Sequence, residues 1–382
     1  MSSIAYLTNT SQFSGVGQRA FNIKQRLDPA VVGEIEEYQL DGQAGTLQRQ
    51  GEIVDRVQPW PGILERKSVN WLRLGRRLAR RSKPGDHSLW HLTNQTLSWL
   101  AKRLEPSVVT VHDIIEVLEP QDTRAALLNR YLYSGIASAT RVICVSNYNK
   151  QSVLERYELE EDTLTVIHNG IGPEYHPIPS FSETVAYQAL QHELKLPPAA
   201  KVVLYVGSDH PRKNVVTAVR AFAAAAKQLP GPAVFIKVGE AGISAGREVL
   251  LTEITRLKIR DQVRFTGFVT TERLNELLNL AQVLIFPSRF EGFGLPPLAA
   301  MAAGTPVVTS NATSLPEVVG QAGLLHDPTD VQGFSHSLLK VMTDEKQARA
   351  LRQAGLVRAK EFSWEQAARE VGKIYQELIE LG

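Results

Sequence analysis

Two series of short apolar runs, each run followed by a stretch of helical spacing, constrain this chain more than any other feature. In the first half the runs are Ile4–Leu7, Ser88–His91, Ser107–Val111, Arg141–Val145 and Leu164–Ile167. In the second half they are Val202–Gly207, Ala233–Val238, Val263–Thr266, Val283–Pro287 and Pro306–Thr309. A strand buried on both faces reads as a continuous apolar run, and strands alternating with helices imply parallel sheets. Between the series lie His176-Pro177-Ile178-Pro179-Ser180 and Leu196-Pro197-Pro198. Prolines at that density break regular structure and mark a crossover. The expected fold class is therefore α/β with two domains, an N-terminal one over 1–180 and a C-terminal one over 196–362. The last segment, from Ser363-Trp364-Glu365, has helical spacing with Ser363 as N-cap and is expected to pack back on the first domain.

Composition narrows the function classes. A chain of 382 residues exceeds one ordinary core. Its net charge of +2 gives no general attraction to polyanions. The single cysteine, Cys144, rules out a disulfide framework within the chain and a cysteine-rich zinc site. The N-terminus reads as a first buried strand rather than a leader peptide, and no apolar run approaches the roughly 20 residues that span a bilayer. These features fit a cytoplasmic protein.

Four strand-end loops carry chemistry. After Pro287 come Ser288-Arg289-Phe290-Glu291-Gly292-Phe293-Gly294-Leu295-Pro296-Pro297. Glycines there let backbone approach a ligand, and prolines suit the first turn of the helix whose free N–H groups face an anion. A carboxylate in such a loop repels phosphate, so Glu291 is expected to meet sugar hydroxyls. The same spacing also fits a plain strand–turn–helix unit. The second loop, Val206-Gly207-Ser208-Asp209-His210-Pro211-Arg212-Lys213-Asn214, sets a guanidinium fork and an ammonium at a helix entrance. Both suit a pyrophosphate, and a solvated basic turn looks alike. The third is Val109-Thr110-Val111-His112-Asp113, a histidine at a strand end. The fourth, Ser14-Gly15-Val16-Gly17, opens a helix but has Ala20 where the dinucleotide fingerprint needs its last glycine, which disfavours NAD.

In this order and at these distances the loops resemble retaining glycosyltransferases of family 4, group 1, which have the GT-B fold of two Rossmann-like domains with parallel sheets facing a central cleft. The likeness extends to Ser146-Asn147-Tyr148, His168-Asn169-Gly170 and Ser314-Leu315-Pro316-Glu317-Val318. It implies a nucleotide-diphosphate sugar donor held by the second domain, and a saccharide or lipid-linked acceptor on the first. Carried over by position, Arg212 and Lys213 neutralise the leaving diphosphate, Glu291 holds sugar hydroxyls and His112 contacts the transferred sugar. Gly15, Gly207, Gly292, Phe293, Gly294 and Leu295 line the donor, and Val269, in Gly267-Phe268-Val269, lies near the nucleobase. No cofactor is implied. The family's second glutamate, eight residues after the first and directed to the ribose, is here Ala299, and the arginine often found after the first strand of the second domain is Ser208.

The Pro-Arg-Lys-Asn loop is similar to that of members using GDP-mannose, so mannosyl transfer with retention is the leading expectation, with glucose or another hexose from a UDP-sugar next. No Asp-x-Asp signature stands at a strand end, which points to metal-independent catalysis. Ala299 keeps open a non-catalytic sugar-nucleotide-binding protein or regulatory subunit. A nucleotide-sugar epimerase would need carboxylates around the sugar that the sequence does not display. Finally, from Ile63 to Lys83, a turn of about 100° per residue gathers Leu64, Trp71, Leu74, Leu78 and Ala79 on one side and Arg66, Arg73, Arg76, Arg77 and Arg80 on the other. That face is either solvated or a contact with an anionic membrane surface, which would make the protein peripheral on the inner face.

Overall fold

The computed structural model describes residues 2–11, 14–58, 66–120, 122–241 and 244–381. The chain divides into two compact units, Met1–Gly170 with Ser363–Gly382, and Ile171–Phe362. Its strands in chain order are β1 (Ser3–Thr8), β2 (Glu34–Asp41), β3 (Thr46–Arg49), β4 (Glu52–Arg56), β5 (Leu89–Leu92), β6 (Ser107–Val111), β7 (Arg141–Cys144) and β8 (Leu164–Val166) in the first unit. The second unit contributes β9 (Lys201–Val206), β10 (Ala233–Val238), β11 (Val263–Gly267), β12 (Val283–Phe286), β13 (Val307–Ser310) and β14 (Gly323–His326).

All ten apolar runs are strands, within a residue or two at each end. Their burial explains why they were legible: β6, β10 and β12 are buried at every position. The first sheet has eight strands in the order β4-β3-β2-β1-β5-β6-β7-β8. It is parallel from β2 to β8, but β3 and β4 add an antiparallel edge. That edge departs from the expected all-parallel sheet. β4 is Glu-Ile-Val-Asp-Arg, exposed along most of its length, and charged edge strands of this kind discourage pairing with other chains. The second sheet has six parallel strands in the order β11-β10-β9-β12-β13-β14. The order reverses between β9 and β12, which opens a crevice at their C-terminal ends.

Each sheet has its own core. Leu7, Leu92, Val109 and Val142 belong to the first, and Val203, Phe235, Ile285 and Val308 pack with Phe222 and Phe334 in the second. The helix Trp364–Leu381 is capped by Ser363, whose Oγ accepts from the Gln366 N–H at 3.0 Å. It packs on the helix Gly15–Arg26, with Arg26 donating to Glu365 at 2.8 Å. Where the chain leaves the first sheet, Gly170 passes so close to Trp364 that an added Cβ would lie 2.1 Å from its backbone nitrogen. The proline-rich crossover is fixed to the second unit by Asn275 and Asn279, whose Oδ1 atoms accept from His176 N and Ile178 N at 3.1 and 2.7 Å.

The helix Arg66–Arg81 turns Leu74, Leu78 and Ala79 inward. Its arginines are less free than the helical pattern implied. Arg77 and Arg81 both bond Asp55 of β4, at 3.0 and 3.2 Å, and Arg73 donates to the Gln58 carbonyl at 2.8 Å. Arg76 lies over the ring of Tyr131 at 5.9 Å, and Arg80 is exposed. Ile63, Leu64 and the side chain of Arg66 lie outside the described residues.

Candidate functional site

The crevice between β9 and β12 brings together loops that are about eighty residues apart in sequence. After β9 the chain passes Gly207 and makes a single turn, Pro211–Lys213, capped by His210. Asn214, in the left-handed region at φ 57°, then opens the helix Val215–Ala226. The Asn214 amide donates to the carbonyls of Pro287 (2.9 Å) and Pro328 (2.7 Å), locking this turn to the end of β12. Asp209, 2% exposed, anchors the other side of the loop by pairing with the buried Lys237 at 2.9 Å and with Arg247.

The two cations and the carboxylate then meet. Lys213 Nζ donates to both oxygens of Glu291, at 2.6 and 2.9 Å. Arg212 Nη1 donates to the Phe290 carbonyl at 3.1 Å and stands 3.9 Å from Glu291 Oε2. The backbone of Arg212 accepts from Arg289 N (2.8 Å) and Ser288 Oγ (3.1 Å), so the cationic turn is tied to the glutamate loop by main chain as well. Glu291 is 7% exposed, and its N–H donates to Thr313 Oγ1 at 3.0 Å. Ser314 Oγ donates to the carbonyls of Glu291 and Phe293 at 2.9 and 2.8 Å.

Gly294, at φ 119°, caps the helix Leu295–Ala302, and a Cβ there would come within 2.8 Å of Leu315. Only glycine fits both demands. Glu291 through Leu295 thus run from a paired carboxylate into a helix N-terminus; Pro296 and Pro297 carry no N–H, so the first turn presents the Leu295 N–H and the positive end of the helix dipole. Sequence reasoning put a carboxylate in an anion loop and asked what it was for. The structure adds that its charge is already met by Lys213. Thr313 and Asn214 were not singled out as scaffold residues. Their positive φ values, 52° and 57°, leave little trace in sequence beyond a preference for small polar residues. Ala299 is 4% exposed on the helix Leu295–Ala302, and Val269 is half-buried just past β11.

In the first unit the helix Gly15–Arg26 starts at an N-cap in which Ser14 accepts from Gly17 N at 3.0 Å, leaving Gly15 exposed. His112 follows β6 and is 7% exposed. Its N–H donates to Gln95 Oε1 at 3.0 Å, and its ring Nε2 lies 3.1 Å from the Thr93 carbonyl. Burial, with the nearby charge of Arg19, pushes the ring's pKa down to about 3. His112 and Gly15 belong to the first unit, and the Arg212–Lys213–Glu291 cluster, Gly207, Val269 and Gly292–Leu295 to the second.

Comparison with known proteins shows the family. Residues 187–358 match the family described as glycosyl transferases group 1, and residues 29–175 match glycosyltransferase family 4. The chain is 31% identical over 282 residues to the O-antigen chain mannosyltransferase B of Escherichia coli, covering 73% of this chain and 72% of that protein. It is 32% identical over 271 residues to the serotype-specific mannosyltransferase WbdA of the same species, where the match spans 69% of this chain but 32% of that longer protein. Among solved structures, sucrose-phosphate synthase from Thermosynechococcus elongatus superposes over 100% of both chains with a TM-score of 0.78 at 22% identity. WaaG, a glycosyltransferase involved in lipopolysaccharide biosynthesis, gives 0.72 at 17% identity over 98% of this chain and 99% of its own. At those identities the superpositions speak for the fold, two Rossmann-like units of GT-B type. The chain belongs to glycosyltransferase family 4, the glycosyl transferases of group 1.

Proposed function

We propose that the protein transfers mannose from GDP-mannose to a saccharide or lipid-linked acceptor with retention at the anomeric carbon. The observation that carries the reading is the joined Arg212–Lys213–Glu291 cluster at the switch point of the second sheet. A diphosphate leaving group gains charge in the transition state, and fixed cations beside a helix N-terminus stabilise that charge most where water is excluded. In this role Arg212 and Lys213 offset the leaving diphosphate, and the N–H groups of Gly292, Phe293, Gly294 and Leu295 face sugar and phosphate. Glu291, its charge matched by Lys213, accepts from sugar hydroxyls. Gly207 and Val269 border the nucleotide, and Gly15 and His112 serve the sugar and acceptor side. Both oxygens of Glu291 accept from Lys213, which leaves the carboxylate poorly placed to act as a glycosidase-type nucleophile and favours front-face transfer assisted by the leaving phosphate. The mannosyltransferase names of the two Escherichia coli relatives support the choice of sugar. We further propose the first unit as the acceptor domain, with Arg76 and Arg80, among the described side chains of the basic helix, meeting an anionic membrane surface.

The test is release of nucleoside diphosphate in EDTA from GDP-mannose, UDP-glucose and UDP-galactose, with mannose-terminated oligosaccharides as acceptors. GDP release accompanied by an α-mannosyl product supports the reading. UDP release redirects the donor. No release from any donor, together with retained nucleotide binding, would favour the non-catalytic reading that Ala299 suggests. In that event Ala299→Glu, restoring a charged hydrogen bond worth roughly 1.5–3 kcal/mol, should tighten nucleotide binding by tenfold or more.

A further inference from the structure

The C-terminal edge of the first sheet differs in chemistry from that of the second. β1, β5 and β6 are parallel neighbours, so the loops that follow them open at the same end of the sheet, where α/β folds bind ligands. The loop after β1 carries no charged residue from Thr8 to Gln18, and the loop after β5 carries none from Leu92 to Ala101. The loop after β6 adds His112, whose ring is neutral at physiological pH because burial pushes its pKa down to about 3, and Asp113, which accepts from Ile115 N at 3.2 Å. Arg19, in the helix Gly15–Arg26, is 2% exposed. Its Nη1 donates to the His168 carbonyl at 3.2 Å and to Asn169 Oδ1 at 2.8 Å, so its charge is turned into the fold. At the matching edge of the second sheet stand Arg212 and Lys213.

In place of charge, the first edge holds a closed ring of neutral hydrogen bonds. Asn94 Nδ2 donates to Asn9 Oδ1 at 3.1 Å, Asn9 Nδ2 donates to Thr96 Oγ1 at 2.9 Å, and Thr96 N donates back to Asn94 Oδ1 at 3.2 Å. Both asparagines are buried. Because Thr96 Oγ1 accepts from Asn9, its own hydrogen is left to donate, and it makes no hydrogen bond among the described residues. Thr96 is half-buried rather than sealed. Thr10 Oγ1, one residue past Asn9, likewise has no partner among the described residues. Hydroxyls and amides that donate and accept suit the hydroxyls of a sugar, which do the same. A phosphate calls for guanidinium forks or ammonium groups. On the same edge as Asp113 it would meet a like charge instead.

We propose that this edge receives the acceptor as an uncharged saccharide, with the Thr96 hydroxyl donating to one of its oxygens, and that it rejects acceptors whose reacting ring carries phosphate. Asn9 and Asn94 are positioning residues that hold Thr96 in place. This inference rests on the reading of the first unit as the acceptor domain and narrows it from saccharides in general to uncharged ones. A lipid-linked acceptor then fits only when its phosphate lies beyond the terminal sugar. The reaction class that follows is extension of an existing glycan, and a different transferase must place the first sugar on any lipid phosphate.

Titration calorimetry of the full chain tests this, with GDP saturating so that the cations of the second unit are occupied. The ligands are a methyl mannobioside and the same disaccharide phosphorylated on its terminal ring. The neutral disaccharide should bind more tightly than the phosphorylated one by roughly tenfold or more. Thr96→Val should weaken the neutral ligand by about three- to tenfold, the loss of one hydrogen bond. Asn9→Ala should do the same and add little in the Asn9→Ala/Thr96→Val double variant, a coupling that mere loss of packing would not give. Thr96→Lys should turn the preference toward the phosphorylated ligand, which keeps the test decisive if Asn9→Ala does not fold. Equal or tighter binding of the phosphorylated disaccharide to wild type, or neutral binding unchanged in Thr96→Val, would overturn the proposal. So would a Thr96→Val variant that weakens GDP-mannose relative to GDP, since the hydroxyl would then serve the donor sugar. If the neutral ligand binds as expected but no donor is turned over with it, the transferase reading fails and the uncharged saccharide site stands.

Discussion

Replacing Lys213 with methionine strips Glu291 of its main partner. The ammonium donates to both carboxylate oxygens, at 2.6 and 2.9 Å, and the two side chains are only 16% and 9% exposed. Removing one member of a buried pair costs ~3–5 kcal/mol, because the other charge stays behind without compensation. Arg212 Nη1, 3.9 Å from Glu291 Oε2, covers part of that charge. The expected loss is therefore at the lower end, about 3 kcal/mol, which lowers the melting temperature of a unit this size by roughly 6–12 °C. Adding Glu291→Gln removes the stranded charge. The double variant should regain about 1.5–2 kcal/mol relative to the sum of the single losses, the coupling usual for residues in direct contact. Differential scanning calorimetry of the full chain, read on the transition of the second unit, measures all corners of the cycle. Strictly additive losses would refute the argument that the carboxylate is held by the lysine.

Three further expectations concern the same framework. Glu291→Gln frees Lys213 Nζ for phosphate, so GDP should bind more tightly by calorimetry even as sugar transfer falls; weaker GDP binding would count against the assigned roles. Asp209→Ala leaves Lys237, buried, with the carbonyls of Gly239 and Glu240 as its acceptors among the described residues, and should destabilise the second unit by about 3 kcal/mol in urea. An effect under about 0.5 kcal/mol would remove Asp209 as the loop's anchor. His91 and His112, ordinarily near 6.5, sit at about 3 in the fold. Between those values the unfolded chain binds protons that the folded chain does not, so stability should fall as pH drops below 6.5, by up to about 1.4 kcal/mol per pH unit for each ring. A urea midpoint unchanged between pH 7 and pH 5 would contradict their burial as neutral rings.

Much of this fold could be read in advance because the central strands are buried on both faces and therefore spell themselves out as apolar runs. β2 to β4 could not be. Glu-Ile-Glu-Glu-Tyr-Gln-Leu-Asp buries only Tyr38 and Leu40 fully, β3 buries only Thr46 and Leu47, and β4 is held by pairing rather than by hydrophobic burial. β14 escaped notice for a similar reason, since none of its residues is fully buried. At the candidate site, local spacing identified Arg212, Lys213 and Glu291 as loop residues at one sheet edge. Their direct pairing depends on the order β9 next to β12, which no local pattern encodes. The basic helix misled in the opposite sense. Helical spacing sorted its arginines onto one face, but Asp55 on a strand that the pattern had not revealed engages two of the helix's arginines, Arg77 and Arg81. Arg19 illustrates the limit most plainly. In sequence it is one polar residue on an amphipathic helix, and its burial follows only from where His168 and Asn169 arrive in space.

The central claim is that Arg212 and Lys213 form a nucleotide-diphosphate site that works without a metal. Titration calorimetry of the full chain with GDP and with UDP, in EDTA, tests it most directly. The account predicts saturable binding of GDP at micromolar to low millimolar concentration, weakened at least tenfold in Arg212→Ala/Lys213→Ala while that variant keeps its native circular dichroism. Binding that appears only when a divalent cation is added, or that survives loss of both cations, would contradict it.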